Sequence, residues 1–536
     1  MDIEKELKTL IKNSIEFDLK EEDIVIEHPK NNEHGDYSSN VALKFCKVLG
    51  KNPMDVAEDI KNNISSNLVE KIEIVRPGFI NFFVKKTYLL DNIINIIEQG
   101  SSYGKLEPKN KRVNVEFASI NPTGIIHLGH ARGSCFGDSL ANVLAFAGYD
   151  VTREYYVNDA GNQMNNMALS IIERYKEIQG LESHMEDDYY HGKEIIDIAQ
   201  KLYDEYGNKL DINDVKFFRD YGLKTFLNRI KEDLEAINVK FDVWTSEQTL
   251  RDRGLVSDAL KKLKEQGYTY EKDGALYLKT TLFGDEKDRV LVKMDNSYTY
   301  FMPDIAYHLD KLNRGFDKLI DVFGSDHHGY VARLKAAVTM LGQDKDKLDV
   351  HLIQMVRAIK DGKEYKLSKR TGKTITLNDL VEETSVDAVR YFFVARSIDS
   401  MMDYDVDLAL QKNNENPVYY IEYAHARICS ILKDKEINID KNYKFETITS
   451  IDAYNVLAKL LEFPKVVARS ANNYAPHLIA TYAYELASMF HSYYAKEKVI
   501  TEDSKATNER LLMLQAIKIT IYNALKLIGI ESPERM

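Results

Sequence analysis

The chain has 536 residues, of which 44% are hydrophobic, and its 72 basic and 84 acidic side chains give a formal charge of -12 at pH 7. This length corresponds to roughly three or four domains, and the apolar content excludes a mainly disordered chain. The three cysteines, Cys46, Cys135 and Cys429, lie far apart, which argues against a disulfide framework or a CxxC zinc site. The N-terminus lacks the apolar core of a signal peptide, and no stretch supplies the roughly 18 apolar residues of a membrane span. We therefore expect a cytoplasmic protein that does not contact a membrane.

The first hundred residues mix helical and strand patterns. A helical run at 41–50 precedes Pro53, which suits a helix start, and the β-branched and aromatic run at 72–84 is interrupted at Pro77-Gly78. These features predict an α+β domain over 1–105, joined to the rest by a charged, turn-rich linker near Pro108.

The next part of the chain alternates strands and helices. A buried strand at 113–120 precedes a helix that ends near Gly148, and a second strand at 151–159 precedes a helix that begins near Gly161. Such alternation predicts a parallel, doubly wound sheet. We assign this core to 106–375.

Within the core, a charged helical insertion is expected over about 180–265 because so long a stretch exceeds ordinary loops. Hairpin turns are predicted at Asp273-Gly274 and Asp295-Asn296. The alternation then resumes with a strand at 318–324, a helix at 331–341 and a single strand at 349–359. From 376 to 536 the pattern is almost wholly helical and predicts an all-α bundle.

A histidine pair follows the first strand of the core. His127, Leu128, Gly129 and His130 lie where a helix begins, and the free amides and the dipole of a helix N-terminus attract anions. Gly129 would let a phosphate or a purine approach the backbone, and the two imidazoles could donate to phosphate oxygens. Helix-capping or core histidines are the alternative interpretation.

A basic loop follows the last predicted strand of the core. Lys366 and Lys369 lie within four residues, so they can meet two phosphates of one nucleotide, and the glycine-containing loop could close over them. Taken singly, a basic loop is more often a solvated surface.

Together, HLGH and KLSKR resemble the HIGH and KMSKS motifs of class I aminoacyl-tRNA synthetases, in the order that this family uses. The wider sequence resembles bacterial arginyl-tRNA synthetases nearly end to end, in the segments VEFASINPTGIIHLGHARGSCFGDSL, YYVNDAGNQ, FGSDHHGYVARLKAA, DAVRYFF, YAHARICSIL and SPERM. The loop departs from the family pattern at Leu367 and Arg370, which replace Met and Ser. Leucine keeps the apolar side chain and arginine keeps a positive donor, so the function of the loop is expected to survive. The resemblance implies an α/β protein with a Rossmann-like parallel-sheet catalytic core, an N-terminal α+β domain and a C-terminal helical anticodon-binding domain.

The resemblance also implies a reaction. ATP, entering with Mg²⁺, would activate L-arginine to arginyl-adenylate, and the arginyl group would then pass to the 3' end of tRNA(Arg). No resident metal is expected. His127, His130, Lys366 and Lys369 are the implied catalytic residues, and the implied ATP-binding residues are His127, Gly129, His130, Lys366, Ser368 and Lys369.

The arginine pocket requires a carboxylate, because a planar guanidinium is best met by two parallel hydrogen bonds. By resemblance, Asp304 and Tyr300 would read the guanidinium with help from Glu116, and Asn121 would bind the α-amino group.

Adjacent histidines follow the strand at 318–324. His328 is expected to face the amino acid or the ribose; a zinc site at Asp326, His327 and His328 is disfavoured because no further ligand lies at a plausible spacing. Asn158 and Gly161, after the second strand, are weaker pocket candidates.

For tRNA, Phe79 and Asn81 correspond to the family positions that read the D-loop, with a core phenylalanine and a turn asparagine as the alternative. The segment 387–390 resembles the element that leads into the anticodon-binding helices. There, aromatic and basic side chains could stack on unpaired bases or could simply belong to the core: Tyr419, Tyr420, Tyr423, His425 and Arg427.

Rival functions are another class I synthetase, a small-molecule nucleotidyltransferase that uses the histidine motif without tRNA, and a noncatalytic tRNA-binding or arginine-sensing descendant. Loss of a motif histidine or lysine would favour the last, and all four are present. A monomer is expected.

Overall fold

The computed structural model describes residues 3–27, 29, 34–365, 375–437, 439–440 and 443–536. The contacts divide the chain into two units. The first consists of Met1–Gly100, Asp434–Leu461 and Ser492–Ile517, and the second of Ser101–Lys433, Glu462–His491 and Lys518–Met536. Among the described residues, no helix combines the length and apolar content needed to cross a membrane.

The first hundred residues form a three-stranded antiparallel sheet with four helices. In chain order these elements are α1 (Ile3–Asn13), β1 (Tyr37–Ser39), α2 (Val41–Phe45), α3 (Pro53–Asn63), β2 (Val69–Val75), β3 (Phe79–Val84) and α4 (Lys86–Gln99). The strand order is β1-β3-β2. Helix α3 begins at Pro53, where a missing N–H costs nothing, and the side chain of Asn52 accepts the amide N–H of Met54. The predicted α+β character of this region is confirmed.

The second unit contains eleven strands among its described residues. They are β4 (Arg112–Glu116), β5 (Asp150–Val157), β6 (Val243–Ser246), β7 (Thr269–Lys272), β8 (Ala275–Leu278), β9 (Arg289–Val292), β10 (Lys318–Gly324), β11 (Leu348–Ile353), β12 (Val356–Lys360), β13 (Lys363–Glu364) and β14 (Met402–Asp405). Five of them form the main sheet in the order β11-β10-β4-β5-β6. Every pair in this sheet is parallel, which confirms the doubly wound prediction.

Helices connect these strands. In chain order they are α5 (Leu128–Phe146), α6 (Asn162–Ile178), α7 (Lys193–Tyr206), α8 (Val215–Glu235), α9 (Glu247–Asp252), α10 (Leu255–Glu265), α11 (Phe301–Asn313), α12 (His328–Met340), α13 (Leu377–Glu383), α14 (Val386–Val394), α15 (Val406–Leu410) and α16 (Pro417–Leu432). The chain then continues in three long helices, α17 (Ile451–Asn472), α18 (His477–Lys496) and α19 (Ser504–Leu527). The helical C-terminal region is as predicted, apart from the short strand β14.

Two other elements differ from the sequence prediction. The apolar run at 349–359 forms two strands, because β11 belongs to the main sheet and β12 pairs with β13 and β14 in another. No glycine, proline or other turn-forming residue interrupts the run at the junction, so the sequence carries no punctuation that marks the change of sheet. Strand β6 lies within the range predicted as an insertion, yet it forms the edge of the main sheet next to β5.

Strand β4 is central in the main sheet, with β5 on one side and β10 on the other. The chain builds the sheet outward in one direction through β5 and β6, and then in the other through β10 and β11. The order therefore reverses at β4 and β10, and ligands of open parallel sheets bind outside the carboxyl ends of the strands at such a point.

Candidate active site

A cavity of about 790 Å³ lies at the carboxyl ends of the central strands of the second unit. Seven of the implied ATP- and arginine-binding residues line it together: Glu116, Asn121, His127, Gly129, His130, Tyr300 and Asp304. They come from three separate stretches of the chain, so the fold converts distant sequence motifs into one site.

His127 caps the helix that carries the histidine motif. Its Nδ1 accepts the amide N–H groups of Gly129 at 3.1 Å and of His130 at 3.4 Å. Burial lowers the pKa of His127, so the ring is neutral at pH 7. Since Nδ1 accepts hydrogen bonds, the proton of the neutral ring lies on Nε2. The side chain therefore combines a structural cap with an Nε2–H donor.

The two histidine rings stack on each other, with centroids 3.5 Å apart and an interplanar angle of 21°. A Cβ on Gly129 would lie 3.1 Å from Cε1 and 3.3 Å from Nδ1 of His127, so glycine leaves this ring room. Burial, with a contribution from His127, lowers the pKa of His130 to about 4. Both imidazoles are therefore neutral at pH 7 and can act as hydrogen-bond donors rather than as cations.

The segment that follows the basic loop is anchored at the histidine motif. Thr376 forms an antiparallel bridge with His127, and the amide N–H of Leu377 donates to the carbonyl of Ile126 at 2.8 Å. Thr376 also caps α13 through a reciprocal capping box with Asp379. Lys366, Ser368 and Lys369 themselves lie outside the described residues.

The predicted pair of arginine-binding residues lies at the start of α11. Tyr300 is 74% exposed, whereas Asp304 is half-buried and its Oδ2 accepts the hydroxyl of Tyr330. Burial raises the pKa of Asp304 to about 7, although the hydrogen bond from Tyr330 acts in the opposite direction. An ionised Asp304 therefore coexists with its protonated form near neutral pH.

Glu116 belongs to a buried charge network beneath the cavity. The ammonium of Lys311, which has no exposed surface, lies 2.5 Å from Oε2 of Glu116 and 3.0 Å from Oδ1 of Asp321. His308 Nε2 lies 2.7 Å from the other oxygen of Asp321. Burial lowers the pKa of His308, but the charge of Asp321 outweighs it and raises the pKa overall. Burial also raises the pKa of Glu116, and Lys311 opposes that shift.

The ligand atoms of Glu116, His308 and Asp321 lie within 4.8 Å of one another, a spacing that could hold a metal ion. The ammonium of Lys311 supplies positive charge to both carboxylates instead. Glu116 also accepts the hydroxyl of Ser119 at 3.0 Å, so each of its oxygens already has a partner.

Two asparagines also line the cavity. Asn158 Nδ2 donates to Oδ1 of Asn121 at 3.2 Å, and both residues line the cavity. Gly161 does not, although it precedes α6 with φ 87°, and Gln163 in the first turn of that helix contributes to the lining instead.

Of the adjacent histidines after β10, the ring of His327 lines the cavity and packs on Phe323 and Tyr330. His328, predicted to face the ligand, is not among the lining residues. The two residues belong to different elements: His327 ends a 3₁₀ turn, Ser325–His327, at the edge of the cavity, and α12 begins at His328.

Sequence reasoning missed several lining residues, among them Glu247 and Gln354. Glu247 is buried at the start of α9 and pairs with Arg251. It lies in the charged stretch predicted as an insertion, where an acidic residue in a first helical turn gives no functional signal. Gln354 lies at the junction of β11 and β12, which the sequence pattern does not reveal.

In the first unit, the predicted D-loop readers Phe79 and Asn81 both lie on β3. Phe79 is 38% exposed, so its ring is accessible. Asn81 is only 3% exposed, and its Oδ1 accepts the hydroxyl of Ser38 at 2.8 Å.

On α16, Tyr419 and Tyr423 stack with centroids 6.1 Å apart, and the guanidinium of Arg427 lies 4.5 Å from the Tyr423 ring. His425 is buried, and its Nδ1 lies 2.9 Å from the carbonyl of Pro533. The tyrosines and Arg427 therefore form a half-exposed group from which His425 is separate.

Three family models match the chain. A model described as the class I tRNA synthetase (R) catalytic domain matches residues 92–446, which include the cavity and both motifs. Models described as the arginyl-tRNA synthetase N-terminal domain and the DALR anticodon-binding domain match residues 1–84 and 421–536. These matches define a class I aminoacyl-tRNA synthetase.

Individual relatives narrow the class. The chain is 48% identical to the arginine–tRNA ligase of Bacillus subtilis over 100% of both chains. It is 50% identical to arginine–tRNA ligase 1 of Halalkalibacterium halodurans over 96% of this chain and 94% of the relative. The solved Thermus thermophilus arginyl-tRNA synthetase shares the fold, with a TM-score of 0.78, 21% identity and 100% coverage of both chains. The chain belongs to the arginyl-tRNA synthetase family, as the sequence resemblance predicted.

Proposed function

We propose that the chain is an arginine–tRNA ligase that uses ATP to activate L-arginine and then transfers the arginyl group to the 3' end of tRNA(Arg). The observation that carries this proposal is a single cavity lined by both the capped histidine motif and the half-buried carboxylate of Asp304. The first suits phosphates, and the second suits a guanidinium.

In the first step, the carboxylate of arginine attacks the α-phosphorus of ATP, the bond to the bridging oxygen breaks, and pyrophosphate leaves with Mg²⁺. No protein nucleophile is needed, so the protein contributes alignment and stabilisation of charge. Neutral His127 and His130 donate N–H groups to phosphate oxygens, and Gly129 lets the nucleotide approach the helix N-terminus. Both rings stay neutral at pH 7 because burial lowers their pKa values, so each donates an N–H group without carrying a charge.

Lys366 and Lys369 hold the departing phosphates, with Ser368 as a further ATP contact. The anchoring of Thr376 beside His127 supports this role, because the basic loop begins ten residues before a point already fixed at the histidine motif.

Asp304 and Tyr300 bind the guanidinium, and Asn121 binds the α-amino group, supported by the amide of Asn158. Glu116, which also lines the cavity, adds negative charge. The role assigned to His328 passes to His327, whose ring lines the cavity.

The tRNA partner contacts two regions besides the active site. Residues 1–105 bind the corner of the tRNA through the exposed ring of Phe79. Asn81, whose Oδ1 accepts the hydroxyl of Ser38, could read a base only after that hydrogen bond breaks. Residues 376–536 bind the anticodon. Residues 106–375 form the catalytic domain. The protein acts as a monomer.

ATP–pyrophosphate exchange tests the proposal, run with each amino acid in turn and with or without a purified tRNA pool, followed by aminoacylation with radiolabelled amino acids. Exchange and charging with arginine alone are expected. Activity with a different amino acid would identify another synthetase. Exchange without charging of tRNA would identify a nucleotidyltransferase. Binding of tRNA or arginine without exchange would identify a noncatalytic descendant. Each of these outcomes would reject the proposal.

A further inference from the structure

The carboxylate of Asp304 has an unusual neighbour for a residue that must face a ligand. Oδ2 accepts the hydroxyl of Tyr330, the third residue of α12, which reaches across from a different helix. An ionised carboxylate can accept about four hydrogen bonds, so about three positions remain for a substrate.

Tyr330 is itself held in place by its surroundings. Its ring packs edge-on against Phe301, Phe323 and His327, with centroids 5.8, 6.4 and 5.9 Å away. The guanidinium of Arg333 lies 5.1 Å from the centre of the same ring. A ring fixed by contacts on several sides presents its hydroxyl at one position.

This matters because an aspartate carboxylate rotates easily about its terminal torsion, which is broad and roughly two-fold. Two parallel hydrogen bonds to a guanidinium require the plane of the carboxylate to match the plane of the fork. A compact ammonium makes no such demand. A donor that fixes one carboxylate oxygen therefore favours a guanidinium over an ammonium.

We propose that Tyr330 is a positioning residue for arginine recognition, whose hydroxyl sets the plane and charge of the Asp304 carboxylate. The inference rests on the proposed function, in which Asp304 binds the guanidinium. It adds a residue that lines the cavity and acts on the guanidinium through Asp304.

The hydroxyl also affects ionisation. Several charged or titratable groups face Asp304 besides Tyr330: Glu116 from β4, Glu247 from α9 and His308 from its own helix. The two glutamates raise the pKa of Asp304, whereas His308 and the Tyr330 hydrogen bond lower it. Removing the hydroxyl should therefore raise the pKa and leave less of the ionised form that pairs with arginine at neutral pH.

The test measures aminoacylation by the full chain carrying Tyr330→Phe, which keeps the ring and removes the hydroxyl. The KM for arginine is expected to rise about tenfold, the usual effect of losing one hydrogen bond to a charged group. The KM for ATP and the kcat should stay within twofold. The acid limb of the pH profile of kcat/KM for arginine should move to higher pH. The inhibition constant of lysine should rise by a smaller factor than the KM for arginine.

Tyr268→Phe is the matched control, since this ring packs on the same apolar core as Tyr330 and lies outside the cavity lining. It should leave all parameters unchanged. An unchanged KM for arginine in Tyr330→Phe, or parallel changes in kcat and both KM values, would overturn the inference.

The variant Asp304→Asn shows whether a negative result rejects only the role of Tyr330 or also the proposed function. If Asp304→Asn raises the KM for arginine and Tyr330→Phe does not, only the role of Tyr330 is rejected. If Asp304→Asn leaves the KM for arginine unchanged, the arginine pocket of the proposed function is rejected as well.

Discussion

Replacing Lys311 with methionine removes the ammonium from the charge network beneath the cavity while keeping most of the side-chain volume. Asp321 would retain its contact with His308 at 2.7 Å, but Glu116 would keep only the hydroxyl of Ser119. Removing one partner of a buried ion pair typically costs about 3–5 kcal/mol, because a desolvated charge is left unpaired. We expect a loss of this size in the free energy of unfolding.

The loss should depend on pH. Burial would raise the pKa of Asp321, but Lys311 and His308 outweigh it and lower the value to about 2. This group therefore stabilises the wild-type fold above the unfolded pKa of about 4, and the contribution disappears as the pH falls towards 2. In Lys311→Met both carboxyl groups should titrate at higher pH, and their protonation relieves the unpaired charge. The difference between variant and wild type should therefore narrow on acidification.

Urea denaturation followed by tryptophan fluorescence measures this loss. The chain has one tryptophan, Trp244 on β6, which stacks on Tyr155 of the neighbouring strand at 4.3 Å and so reports on the main sheet. Lys335→Met is the control, since Lys335 lies 3.9 Å from Asp349 and both side chains are partly exposed; it should cost less than about 1 kcal/mol. The reasoning would be refuted by an equal loss of unfolding free energy in the two variants. It would also be refuted if the difference in unfolding free energy between Lys311→Met and wild type grew on acidification.

Three further predictions concern the site and the tRNA contacts. His130→Ala should lower the kcat of aminoacylation about a hundredfold, because one preorganised donor is lost, and should leave tRNA affinity in a filter-binding assay near normal; full activity would contradict the assigned role. In wild type, kcat/KM for arginine should rise with pH through about 7 as Asp304 ionises, whereas Asp304→Asn should give a low, flat profile; a sloping profile in the variant would assign the titration to another group. Phe79→Ala should weaken tRNA binding about fivefold or more, since stacking on one base contributes about 1–3 kcal/mol; unchanged binding at several salt concentrations would reject the contact.

Local patterns predicted the elements that position the site. The strand predicted at 113–120, the helix start at His127 and the strand predicted at 318–324 were all recognisable, because buried strands and helix starts have short-range signatures; the first strand ends earlier than predicted, at Glu116. Parallel pairing then follows from the alternation, and the convergence of the strand ends follows from the pairing. The pattern thus predicted one crevice shared by the histidine motif and the residues after β10, whereas only the family resemblance implied that Glu116 belongs to it.

Interactions between distant residues were beyond sequence reasoning. Lys311 meets Glu116 across 195 positions, and nothing in the helical pattern around Lys311 marks it as fully buried. Tyr330 likewise reads as one aromatic residue on an amphipathic helix, and only the crossing of α11 and α12 brings it to Asp304. His327 rather than His328 lines the cavity, at the end of the 3₁₀ turn that precedes α12.

The hydrogen bonds of His127 make the two histidines of the motif unequal. A substitution of His127 removes a phosphate contact and also the cap of the helix that carries His130. A substitution of His130 leaves the cap intact. Loss of activity on substitution of His127 therefore combines two effects, the lost phosphate contact and the lost helix cap. Asparagine, whose side-chain oxygen can cap a helix, is the replacement that removes only the first.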